Sequence, residues 1–196
     1  MFWYEDEVRR LENEGQQRDH KADTIFYGSS SIRLWTSVYD DLKDLNPVNL
    51  GFGGSTLAAC VWFFDRIMAL WNPKRLIVYA GDNDLGDGRH PEEIFIFFQQ
   101  LVARANRRFG NIPCYFVSLK PSISRWHMAD QFKFTNKIIE AEIESYKNNW
   151  QFIDIFSAML DANGYPKKEY YLDDGLHLSP EGYRLWKQII NDHIHR

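Results

Sequence analysis

The stretch TIFYGSSSIRLW, Thr24 to Trp35, decides the fold class. Its opening residues are β-branched or aromatic and run into a glycine followed by serines, the pattern of a strand ending in a turn. Working outward, the same alternation returns. Strands are expected at Thr24–Tyr27, Pro47–Leu50, Arg75–Ala80, Ile112–Ser118 and Gln151–Ile155, with stretches of helical period between them. That order predicts an α/β domain built on a parallel sheet.

The intervening helices each keep one apolar face. Leu57, Val61, Phe64, Met68 and Trp71 form one stripe, and Ile94, Phe95, Phe98, Leu101, Val102 and Ala105 form a second. Both read as core-facing stripes. A helix rich in Glu and Arg, about residues 5–16, precedes the first strand, and the last helix is announced by Ser179 as N-cap with Pro180 behind it. Serine there accepts an orphan backbone N–H, and proline suits the first helical position.

The 196 residues fit one domain, spanning residues 1–196, and carry a net charge of −4. No basic field is available to gather nucleic acid or an anionic membrane. Cys60 and Cys114 lie in apolar stretches without metal-ligand spacing, which reads as reduced core thiols. The apolar runs are short, so stable membrane insertion is not expected. The acidic, amphipathic start MFWYEDEV is unlike a secretory leader, so the expected chain is soluble, cytoplasmic or secreted after removal of a leader. Nothing in the sequence argues for or against a homodimer.

In open parallel sheets, ligands bind beyond the carboxyl ends of the strands. Polar and glycine-rich residues fall there three times, as Gly28-Ser29-Ser30-Ser31, Gly51-Phe52-Gly53-Gly54-Ser55 and Gly81-Asp82-Asn83-Asp84. A fourth segment, Asp173-Asp174-Gly175-Leu176-His177, immediately precedes the last helix. Each alone reads as an ordinary turn or cap. Together they hold what acyl transfer requires: a serine nucleophile, a base, a carboxylate to orient the base, and donors for an oxyanion. Asp174 and His177 are close enough in sequence for one turn to pair them, while Ser29, Ser30 and Ser31 all stand as candidate nucleophiles.

The runs FYGSSSIRLW, NLGFGGSTL, YAGDNDL and DDGLHLSPEGY resemble, in order, the sequence blocks of the SGNH (GDSL-type) hydrolases, with a pattern most like the platelet-activating-factor acetylhydrolase type and its bacterial relatives. The resemblance spans about residues 24–183. It implies a three-layer α/β/α sandwich with a five-stranded parallel sheet, flavodoxin-like in layout, and a serine esterase that needs no cofactor. Carried over by position, it implies Ser30 as nucleophile, Asp174 and His177 as the rest of the triad, and an oxyanion hole from Ser30, Gly54 and Asn83. Ser29 stands where many members have aspartate, a position outside the triad.

The expected substrate is a small ester with a short acyl group, because no long insertion follows any strand to build a deep tunnel. Arg125 and Trp126, after the fourth strand, are candidate rim residues for the leaving group. Two other classes are weighed against this. A non-catalytic module binding an acylated sugar or lipid has no use for the base and its carboxylate, and a mononucleotide binder lacks a P-loop lysine. Metal binding by Asp82, Asp84, Asp87 and Glu93 is not expected, since Gly86 and Asp87 break the calcium-loop pattern.

Overall fold

The structure is a computed structural model and describes residues 1–17, 21–145 and 149–195. Five strands, β1 (Thr24–Gly28), β2 (Pro47–Gly51), β3 (Arg75–Tyr79), β4 (Cys114–Val117) and β5 (Trp150–Ile153), form one sheet in the order β2-β1-β3-β4-β5. Every pairing is parallel. The helices are α1 (Glu5–Gln17), α2 (Ser30–Arg33), α3 (Val38–Asp41), α4 (Leu57–Ile67), α5 (Asp82–Gly86), α6 (Pro91–Phe109), α7 (Ala129–Ser145) and α8 (Pro180–Ile194).

The strands sort their side chains into two cores by alternation. Ile25, Tyr27, Leu76, Val78, Cys114 and Phe116 face the layer of α1, α4, α6 and α7, where they meet Leu11, Leu57, Phe64, Phe98 and Ile139. Phe26, Ile77, Tyr79, Tyr115 and Val117 face the other layer, where Trp35, Val38, Trp186 and Ile190 cover them. Burial on both faces is why the strands read as continuous apolar runs rather than alternating ones. The result is the expected α/β/α sandwich.

Several boundaries differ from expectation. β4 begins at Cys114 because Pro113, just before it, has no N–H to donate and contributes only its carbonyl, to Leu76. β5 stops at Ile153 because the N–H groups of Ile155 and Phe156 go to Ser118 Oγ instead of the ladder. The Leu57 stripe outruns its helix: α4 ends at Ile67, and Trp71 packs from the turn beyond, with its indole against Gly15 of α1. α8 starts as expected, with Ser179 Oγ accepting the Gly182 N–H at 3.2 Å.

β1 fixes where a ligand meets the sheet. The chain leaves it for β2 on one side and returns to β3 on the other, so the crevice at a topological switch point opens beyond the ends of β1 and β3. Gly28 closes that end. Its φ is +146°, and a Cβ there would fall 1.8 Å from the Tyr79 carbonyl oxygen, so only glycine lets the chain turn this close to β3. Among the described residues, no helix is long and apolar enough to cross a membrane.

Candidate active site

Ser30 is the first residue of α2, directly after the Gly28 turn. Ser29 precedes it in an extended conformation, with its N–H on the Tyr79 carbonyl at 3.0 Å. The three serines are not equivalent: Ser29 is 0% exposed, Ser31 is 2% exposed, and Ser30 is partly exposed. Tyr183 of α8 donates its hydroxyl hydrogen to the Ser31 carbonyl at 3.0 Å and stacks on Trp35, with ring centroids 5.4 Å apart. That contact ties the segment after His177 to the turn that carries Ser30.

Asp174 and His177 are paired. The His177 Nδ1 lies 2.6 Å from Asp174 Oδ2, while Asp174 Oδ1 accepts the backbone N–H groups of Leu176 at 2.8 Å and His177 at 2.9 Å. The local structure is an Asx-type turn rather than a helical turn. Partial burial works to raise the Asp174 pKa, but the imidazole bond and the two N–H groups outweigh it and hold the carboxyl at about 2. It stays ionised at any pH where the protein would be assayed. With Nδ1 engaged, Nε2 is the ring nitrogen turned away from the carboxylate, the arrangement a general base requires.

Gly54 has φ +68°, and a Cβ built there meets nothing within 4 Å, so its backbone borders open space. The loop carrying it is gripped by the N-terminal segment. Tyr4 donates to the Gly54 carbonyl at 3.1 Å, Arg10 donates to the Gly51 carbonyl at 3.1 Å, and the Gly53 N–H reaches Glu7 Oε2 at 3.4 Å. Asn83, the second residue of α5, donates from Nδ2 to the Ser55 carbonyl at 3.1 Å. Two of the expected oxyanion residues thus come from adjoining segments, Gly54 beside Ser55 and Asn83 bonded to it.

Arg125 lies deeper than a rim residue. Its guanidinium donates to the Asp82 carbonyl at 2.9 Å and to Asn83 Oδ1 at 3.1 Å. Trp126 packs instead on Tyr165, with ring centroids 5.7 Å apart, under the Lys133 ammonium. Asp82, Asp84 and Glu93, weighed as metal ligands, have other partners: Asp82 Oδ1 accepts the Asn83 N–H at 3.0 Å. Asp84 caps α4 by accepting from the Leu57 and Ala58 N–H groups and pairs with Arg89, and Glu93 accepts the His90 N–H. Among the described residues, no group of three or more His, Cys, Asp or Glu is placed to hold a metal ion. Cys60 and Cys114 are buried free thiols.

Lys120 escapes a reading of the sequence alone. It is 1% exposed, donates from Nζ to the Leu176 carbonyl at 2.8 Å, and sits 3.9 Å from Asp82 Oδ2. The loop that positions His177 therefore rests on a buried ammonium. The only signal in the sequence is a lysine directly after an apolar strand. Burial pushes its pKa down to about 8, with Arg125 acting in the same direction and Asp82 and Asp174 opposing. Below about pH 8 both folded and unfolded chains hold this proton. Above it the folded chain loses the proton first, so the unfolded state binds more protons and stability rises with pH up to the ordinary lysine range. Relative to Lys120→Met, the wild-type protein should gain roughly 2 kcal/mol between about pH 8 and pH 10, read from urea midpoints. Parallel pH profiles for the two proteins would refute this.

The sequence matches the GDSL-like lipase/acylhydrolase family over residues 22–185. Among curated proteins, no sequence matches this chain. Solved structures share its fold. A Streptococcus pneumonia protein provisionally described as a platelet activating factor superposes with a TM-score of 0.82 at 19% identity, over 97% of this chain and 94% of that one. A GDSL-like lipase from Bacteroides thetaiotaomicron superposes with a TM-score of 0.80 at 20% identity, over 96% and 97% of the two chains. A family 3 carbohydrate esterase from Clostridium thermocellum does so with a TM-score of 0.68 at 18% identity, over 88% and 94%. By the extent of the family match, this chain belongs to the GDSL-like lipase/acylhydrolase family and is a carboxylic ester hydrolase.

Proposed function

We propose that the protein is a serine esterase that cleaves small, short-acyl esters through an acyl-enzyme on Ser30. The observation that carries this reading is the difference among the three serines: Ser29 and Ser31 are buried, and Ser30, two residues past the end of β1, is partly exposed. His177 Nε2 takes the Ser30 hydroxyl proton as Oγ attacks the ester carbonyl, and Asp174 holds the imidazole and stabilises its protonated form. The tetrahedral oxyanion accepts hydrogen bonds from the Ser30 and Gly54 N–H groups and from the Asn83 amide. His177 then protonates the departing alcohol. Water attacks the acyl-enzyme by the same route, releasing the acid and restoring Ser30.

Support for a short acyl group comes from the connections that follow β2, β3 and β4. Phe52 to Thr56 is all that separates β2 from α4, and Ala80 and Gly81 are all that separate β3 from α5. After β4, the chain turns inward at once, with Lys120, Pro121 and Ser122 buried. None of these segments is long enough to wall a deep apolar channel. Initial rates on p-nitrophenyl acetate, butyrate and octanoate test this: kcat/KM should fall as the chain lengthens. A rate that rises toward octanoate would remove the short-acyl assignment.

A further inference from the structure

Resting on the oxyanion role of Asn83, we infer that Arg125 is a positioning residue that, together with the Ser55 carbonyl, holds the Asn83 amide in one orientation. A guanidinium has five N–H donors and no acceptor. The Asn83 atom 3.1 Å from Arg125 Nη2 must therefore be Oδ1. That fixes Nδ2 on the opposite side of the amide, where one hydrogen goes to the Ser55 carbonyl at 3.1 Å. The second Nδ2 hydrogen is the one left for the oxyanion. With the amide reversed, Oδ1 would face the developing negative charge, and the site would repel the intermediate it must stabilise.

The guanidinium is itself held in place. Nη1 donates to the Asp82 carbonyl at 2.9 Å and lies 3.7 Å from the Asp82 carboxylate, so the planar fork bridges two consecutive residues of α5. It lies flush on the helix at Gly86, where a Cβ would come within 2.9 Å of both Arg125 Cζ and Nη2. Its charge also polarises the amide it touches, which strengthens Nδ2–H as a donor. A lysine offers a point charge in place of this fork.

The test is a double-mutant cycle in kcat and KM for p-nitrophenyl acetate, using wild type, Asn83→Ala, Arg125→Ala and the double variant. Asn83→Ala should lower kcat about 100- to 1,000-fold. Arg125→Ala should lower kcat by about tenfold or more with KM nearly unchanged, as expected for an interaction made in the transition state. In the Asn83→Ala background the Arg125 substitution should cost nothing further. General damage to the fold would instead lower the rate in both backgrounds. Gly86→Ala, which displaces the guanidinium tip without removing its charge, should lower kcat in the same way as Arg125→Ala. A wild-type kcat in Arg125→Ala, or an undiminished loss in the Asn83→Ala background, overturns the inference and leaves the oxyanion role of Asn83 standing. A wild-type kcat in Asn83→Ala would instead overturn that role, and the inference with it.

Discussion

Ser30→Ala should lower kcat by about ten-thousandfold or more while leaving the unfolding midpoint near that of the wild type. The side chain is partly exposed at the first residue of α2, so its loss leaves no cavity, and the backbone that turns at Gly28 is unchanged. The neighbouring serines provide the control. Ser29 is fully buried with its hydroxyl unpartnered, so Ser29→Ala removes an unsatisfied polar group and should keep both activity and stability. If Ser30→Ala retained the wild-type rate, the nucleophile would have to be sought elsewhere.

Asp174→Asn should lower kcat by about a thousandfold to ten-thousandfold at unchanged KM. The reason lies in how the carboxylate divides its two oxygens. Oδ1 accepts the Leu176 and His177 N–H groups, and Oδ2 faces His177 Nδ1. An asparagine that keeps the backbone bonds must turn its NH2 toward Nδ1. That nitrogen would then have to accept, which places the ring proton on Nε2 and removes the base. The turn itself survives, since asparagine makes the same Asx bonds. Circular dichroism should therefore match the wild type. Retention of more than about a tenth of the activity would show that the carboxylate does not orient the base as argued.

The layers and the succession of strands and helices follow from patterns that a sequence displays directly. Continuous apolar runs such as Leu76 to Tyr79 are buried on both faces, and Ser179-Pro180 marks the start of α8 because capping is local. The Asp174 and His177 pair was legible for the same reason, since the two residues lie within one turn. Arg125 was visible as a residue near the mouth, yet its partners Asp82 and Asn83 lie on a different crossover. Lys120 reading onto Leu176, and Tyr4, Glu7 and Arg10 gripping the Gly51–Gly54 loop, are contacts between segments far apart in the chain. No periodicity records them. The N-terminal helix showed only an amphipathic face and charged residues, which any surface helix would show. The end of β5 shifted for a related reason: Ser118 Oγ, a side chain just past β4, takes backbone N–H groups that would have extended β5.

The most direct test of the central claim is to label the protein with a fluorophosphonate and locate the adduct by mass spectrometry. An activated serine attacks phosphorus and expels fluoride, leaving a stable phosphonyl ester that mimics the tetrahedral intermediate. Trypsin should release Ala22–Arg33, which contains Ser29, Ser30 and Ser31 together, so fragment ions must separate them. The account predicts a single adduct on Ser30 that forms as esterase activity disappears. An adduct on Ser29 or Ser31, or full loss of activity with this peptide unmodified, would contradict it.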